Sequence, residues 1–88
     1  QDKRKAMLAA IKEQYTGAPL EGPLRLEIDV SGEGRADTDN IAGALMDCAN
    51  GVLWVDDRVN VIPELQVRWR KNTKANSIWL IRIYELVE

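Results

Sequence analysis

Hydrophobic positions change their spacing along this chain, and the changes mark out its elements. Between residues 2 and 15, Met7, Leu8, Ile11 and Tyr15 recur at helical intervals. Lys3, Arg4, Lys5, Lys12 and Glu13 take the other side, which predicts an amphipathic helix. Gly17, Pro19, Gly22 and Pro23 then break the pattern. Leu24, Leu26, Ile28 and Val30 alternate with Arg25, Glu27 and Asp29, as in a half-buried strand, and Gly32 and Gly34 mark a loop. A second helix is expected from about Thr38 to Ala49, with Ile41, Leu45 and Cys48 as its buried stripe and Ala44 beside it. Asp37 or Asp39 is placed to cap its start, and Asn50-Gly51 to stop it. Val52-Leu53-Trp54 predicts a short strand leading into Asp56-Asp57. Leu65, Val67 and Trp69 alternate with Gln66, Arg68 and Arg70 in another strand, and Lys71 to Asn76 reads as a polar turn. Ile78 to Val87 is the last strand. It is apolar on both faces, so it is expected to be buried on both sides or to pair with a partner. The last two strands are expected to form an antiparallel hairpin.

The order α-β-α-β-β-β predicts a mixed α/β fold of the α+β kind: a small mixed sheet of three to four strands with two packed helices. The 88 residues predict one domain over 1–88, small enough for a partner subunit to help its stability. No run of about 18 apolar residues is present, so no membrane span is expected. No charged, apolar and small-residue segment opens the chain, so no secretory signal is expected, although Gln1 rather than Met leaves room for residues upstream. A single cysteine cannot form an internal disulfide and points to a reducing, cytoplasmic setting. The lack of histidine removes the commonest general base and the commonest zinc ligand.

The net charge of −2 conceals two opposed segments. Asp37, Asp39, Asp47, Asp56 and Asp57 dominate one; Arg58, Arg68, Arg70, Lys71, Lys74 and Arg82 dominate the next. Asp37 and Asp39 at a helix start, with Asp56 and Asp57 after a short strand, are candidate ligands for a divalent ion. Magnesium takes hard oxygen ligands and keeps several waters, so two or three carboxylates suffice. A cation also relieves the repulsion of crowded carboxylates. The alternative is local: Asp and Asn cap helices, and Asp-Asp is common in turns. Arg58, Arg68, Arg70, Lys71 and Lys74 could hold phosphates in a salt-sensitive way, or could simply blunt a sheet edge. Trp54, Trp69 and Trp79 could stack on bases, but their alternating apolar settings favour a core or a subunit interface. Cys48 reads as a small core residue, since no histidine is available to activate it.

The stretches Asp37-Thr38-Asp39-Asn40-Ile41, Leu45-Met46-Asp47 and Gly51-Val52-Leu53-Trp54-Val55-Asp56-Asp57-Arg58-Val59 resemble the RusA family of Holliday junction resolvases. That family carries a D-x-D-N helix start, a helix with an internal Asp, and a D-D-x-x-V turn. The resemblance implies a homodimeric, Mg²⁺-dependent (or Mn²⁺-dependent) endonuclease that nicks four-way DNA junctions in recombination and repair, with a mobile element as a plausible home. Asp37, Asp39 and Asp57 match the family's metal-binding catalytic carboxylates, Asp56 the neighbour of the last, and Asp47 the helix Asp. Two features depart from the family. Its catalytic lysine, four residues after the second Asp of the D-x-D motif, is Gly43 here. Its N-terminal strand and Pro/Asn-rich loop are expected to be missing from this chain. Arg35, Arg58 or a partner's lysine could supply the absent cation.

Three functions follow from these residues. One is the nuclease, another a DNA-binding or dimerisation module of the same fold with weakened catalysis. The third is an interaction domain in which the carboxylates only cap and turn.

Overall fold

The structure, a computed structural model, describes residues 2–34, 38–73 and 78–87, and the side chains among them except at 2–4, 38 and 39. Five elements follow in order: α1 (Asp2–Gln14), β1 (Leu24–Gly32), α2 (Thr38–Ala49), β2 (Glu64–Lys71) and β3 (Ile78–Glu85). The three strands form one mixed sheet in the order β2-β1-β3. β2 runs parallel to β1 and is reached through α2; β3 runs antiparallel to β1. The expected α+β fold is present, with three strands and two helices.

β1 takes the centre because it has the most regular alternation in the chain. Leu24, Leu26, Ile28 and Val30 are buried on one face, and Arg25, Glu27, Asp29 and Ser31 are half-buried on the other. A strand with one wholly apolar face gains most by pairing on both edges while that face lies under the helices. The hairpin expected of the last two strands is therefore corrected. β2 and β3 lie on opposite sides of β1, and residues 72–77 link them across its end. Two strand spacings amount to roughly 10 Å, which six residues span easily.

Register fixes which residues share a face. Leu26, Ile28 and Val30 lie level with Leu65, Val67 and Trp69 of β2 and with Ile83, Ile81 and Trp79 of β3. These face the helices. Ile41, Ala42, Leu45 and Ala49 of α2 and Ile11 of α1 complete the core. Burial of each Leu or Ile there contributes roughly 1.5–3 kcal/mol. The α2 stripe runs through Ala49 rather than Cys48, which is only half-buried, because residues four apart stack most directly on the core. α1 is the weaker element. Of its stripe only Ile11 is buried, and Met7, Leu8 and Tyr15 remain half-buried.

Val52-Leu53-Trp54 is a turn rather than the expected strand. Gly51 adopts φ +81° and reverses the chain. The Ala49 carbonyl then accepts bonds from both the Val52 and Leu53 amides, each at 2.9 Å. Only isolated bridges remain, from Trp54 to Leu20 and to Asn50.

Candidate functional site

The helix start that carries Asp39 follows the carboxyl end of β1, the usual place for ligands in sheets with parallel strands. Asp39 lies in the first turn of α2. Asp37 and the side chain of Asp39, with any capping they perform, lie outside the described residues, as does Lys74.

The Asp56-Asp57 turn is anchored elsewhere. Trp54 is held at the carboxyl end of α2, where its carbonyl accepts from Gly51 at 2.7 Å and Val55 donates to Leu20 at 2.9 Å. Beyond the turn, the Val61 and Ile62 amides both donate to the Arg58 carbonyl, and Leu24, at the amino end of β1, donates to Val61 at 2.8 Å. Gly22 permits this closeness. It sits at φ +86°, and a Cβ there would stand 2.6 Å from the Val61 carbonyl oxygen. The two acidic pairs are thus tied to opposite ends of α2, with ten residues, about 15 Å of helix, between Asp39 and Ala49.

Within the turn the two carboxylates differ. Asp56 accepts from the Asp57 amide at 2.8 Å and pairs with Arg58 at 2.9 Å. Asp57 is exposed. Its carboxylate is the kind of hard donor that Mg²⁺ takes. Among the described residues, however, no three acidic or cysteine side chains come together as a metal cage. Asp47 lies on the exposed side of α2.

The basic residues divide in the same way. Arg70 and Lys71 stand exposed at the carboxyl end of β2, the end at which α2 begins. Arg58 accompanies Asp56 at the other end. Arg68 is committed to Asp29: its Nε and Nη2 donate to the two carboxylate oxygens at 2.8 and 3.1 Å. Arg82 approaches the same carboxylate from β3 at 2.5 Å. Asp29 therefore clamps both outer strands to the central one. Hydrogen bonds from Arg68 first, and then Arg82, hold its carboxyl below the usual aspartate range. Arg25 does the same nearer the other end, reaching Glu27, Glu64 and Gln66. Sequence spacing alone did not single out Asp29 or Arg25, because their partners are 39 or more residues away. The signal was the charged alternation of β1 itself, which becomes readable once the strand order is known.

The tryptophans also separate. Trp54 is fully buried. Trp69 and Trp79 are 45% and 36% exposed and flank Val30 on the helix side of the sheet. Trp69 packs closely on Gly34, where a Cβ would stand 2.6 Å from the indole.

A mixed sheet whose central strand leads into an acidic helix start, with basic residues at the same end, is a frame suited to phosphate chemistry. A family model of endodeoxyribonuclease RusA matches residues 2–78. The chain belongs to that family of endodeoxyribonucleases, divalent-metal-dependent nucleases that resolve branched DNA. No curated protein and no solved structure matches it significantly. Among the described residues no helix is long and apolar enough to cross a membrane.

Proposed function

We propose that this chain is a Mg²⁺-dependent endonuclease, with Mn²⁺ as a substitute, that nicks four-way DNA junctions as a cytoplasmic homodimer in recombination and repair. The observation that carries this reading is the order Asp39, Asp56, Asp57 within a chain of the RusA family. Asp37, Asp39 and Asp57 would hold the ion, with Asp56 beside them. A bound Mg²⁺ supplies Lewis acidity at the phosphodiester and a water of lowered pKa. The protein's part is to present the carboxylates and to hold the backbone through Arg70, Lys71 and Arg58, whose phosphate contacts need no base sequence. Arg68 is the weaker candidate, because Asp29 already takes its fork. Lys74 would extend the basic end beyond Lys71.

The anchoring of the acidic pairs at opposite ends of α2 supports a dimeric site, with Asp37 and Asp39 of one copy facing Asp57 of another. A two-fold dimer presents two such sites, as a substrate with two equivalent strands requires. A nicking assay on a synthetic four-way junction tests the whole reading. Paired nicks are expected with Mg²⁺ and none after EDTA. Binding without nicks under either condition would leave only a DNA-binding module.

Gly43 favours that second reading, since glycine provides no cation. It lies one helical turn after Asp39, on the same side of α2, and a Cβ there would meet nothing within 4 Å. Lysine therefore fits without rearrangement. Gly43→Lys is expected to raise stability by about 0.5–1 kcal/mol through helix propensity alone. If a cation near the phosphate limits the rate, it should also speed nicking by on the order of tenfold or more. Thermal melting and single-turnover nicking separate the two effects; a higher melting temperature with an unchanged rate would show that another cation already serves.

A further inference from the structure

The two edges of the sheet are built differently. β2 carries Glu64, Arg68, Arg70 and Lys71, the kind of charges that keep an edge from pairing. β3 reads Ile-Trp-Leu-Ile-Arg-Ile-Tyr over residues 78–84, and its one charge there, Arg82, is drawn onto Asp29. Among the described residues no strand pairs with its outer side. Ile78, Leu80 and Tyr84 lie on the open face of the sheet, 62%, 46% and 45% exposed. On the other face Trp79, Ile81 and Ile83 line an apolar groove of about 490 Å³ against Met7, Ala10 and Ile11. An eight-residue strand with apolar side chains on both faces and a free side is a template for a further strand.

We propose that β3 pairs antiparallel with β3 of a second copy, about a two-fold axis through Ile81, to make one six-stranded sheet. This deepens the homodimer reading above and rests on it. The sequence specifies the register. A two-fold axis perpendicular to a sheet keeps each face on its own side, so a residue can oppose only one an even number of places away. Centring on Ile81 sets Ile78 opposite Tyr84, Trp79 opposite Ile83 and Leu80 opposite Arg82. Every residue from 78 to 84 is used, and the aromatic residues meet aliphatic ones, a favourable cross-strand pairing. Centring on Arg82 would oppose two arginines, and centring on Leu80 would shorten the match by two residues. The apolar groove of each copy then runs up to the seam.

Leu80 tests this with a sign. In the dimer it opposes Arg82 of the other copy twice, whereas within one chain it lies level with Asp29. A charge at 80 therefore acts oppositely on the dimer and on the monomer fold. Sedimentation equilibrium of the full chain, with circular dichroism to confirm folding, should show Leu80→Lys weakening the dimer by about tenfold, from two like-charge cross-strand pairs. Leu80→Glu should retain or tighten it. Equal dimer affinity in all three proteins would overturn the β3 seam while leaving the homodimer intact. Equal weakening by both charges would also overturn it, since only an unregistered apolar contact behaves so. A chain that stays monomeric up to millimolar concentration would overturn seam and homodimer together.

Discussion

Asp57→Asn is expected to reduce junction nicking by on the order of a hundredfold or more, because it removes a metal-holding charge from the reacting centre. Its melting temperature should barely change, since an exposed substitution away from packing is usually worth less than about 0.5 kcal/mol. Asp39→Asn should behave alike. The sharper expectation concerns their mixture. The acidic pairs are tied to opposite ends of α2, one beyond the carboxyl end of β1 and the other beside its amino end. If each site draws Asp39 from one copy and Asp57 from the other, a mixed dimer concentrates both lesions in one site and leaves its second site whole. With random exchange, about a quarter of all sites should then be intact, and single nicks should reappear. A site made within one chain would stay dead in the mixture, because every copy carries a lesion. Strand pairing along β3 is compatible with the shared arrangement: it sets the copies antiparallel, so the α2 start of one lies at the same end of the joint sheet as the Asp56-Asp57 turn of the other.

The parts of this molecule that local chemistry dictates were legible before the structure. β1 follows from the strict alternation of Leu24 to Val30, and α2 from Ile41, Leu45 and the Gly51 stop, because these depend on neighbours within a turn or two. The sheet order was not legible. A hairpin between β2 and β3 satisfies the same local pattern, and only the competition for the two edges of β1 decides against it. The same long-range choice hid the Asp29 clamp. The two-faced apolar pattern of β3 was read as burial on both sides or a partner. It lies at an edge with three large apolar residues exposed on one face, so burial within this chain is not what the pattern records. Of the candidate site, the Asp56-Asp57 turn was legible as a turn, since Asp56 receives the next amide in the manner usual for such residues. Its separation from Asp39 was not, because the motif's order along the chain says nothing about which end of α2 each pair occupies.

Trp54→Ala is the change expected to cost most in stability. Trp54 has 0% exposure and is the largest of the fully buried side chains. It packs in the core with Leu24, Leu26, Leu45 and Ala49. Truncating a buried aromatic of this size typically costs 3–5 kcal/mol, roughly the entire margin of a small domain. The melting temperature should therefore fall by on the order of 20 °C, or folding should be lost. Trp54→Phe is the informative companion. The indole Nε1 is buried without a hydrogen-bond partner, a state that costs stability in a dry core. Phenylalanine leaves a smaller cavity and removes the unpaired N–H, so the two changes oppose each other and the loss should stay within about 2 kcal/mol. The consequence reaches the site through the chain, because Trp54 pins the segment that carries Asp56 and Asp57 only two and three residues later. Trp54→Phe should then keep junction binding and metal-dependent nicking, whereas Trp54→Ala should lose both along with its melting transition. Asp57→Asn should lose only the nicking. If Trp54→Phe instead melted as early as Trp54→Ala, the indole N–H would have a partner in solution, and the turn would be held by that bond rather than by packing.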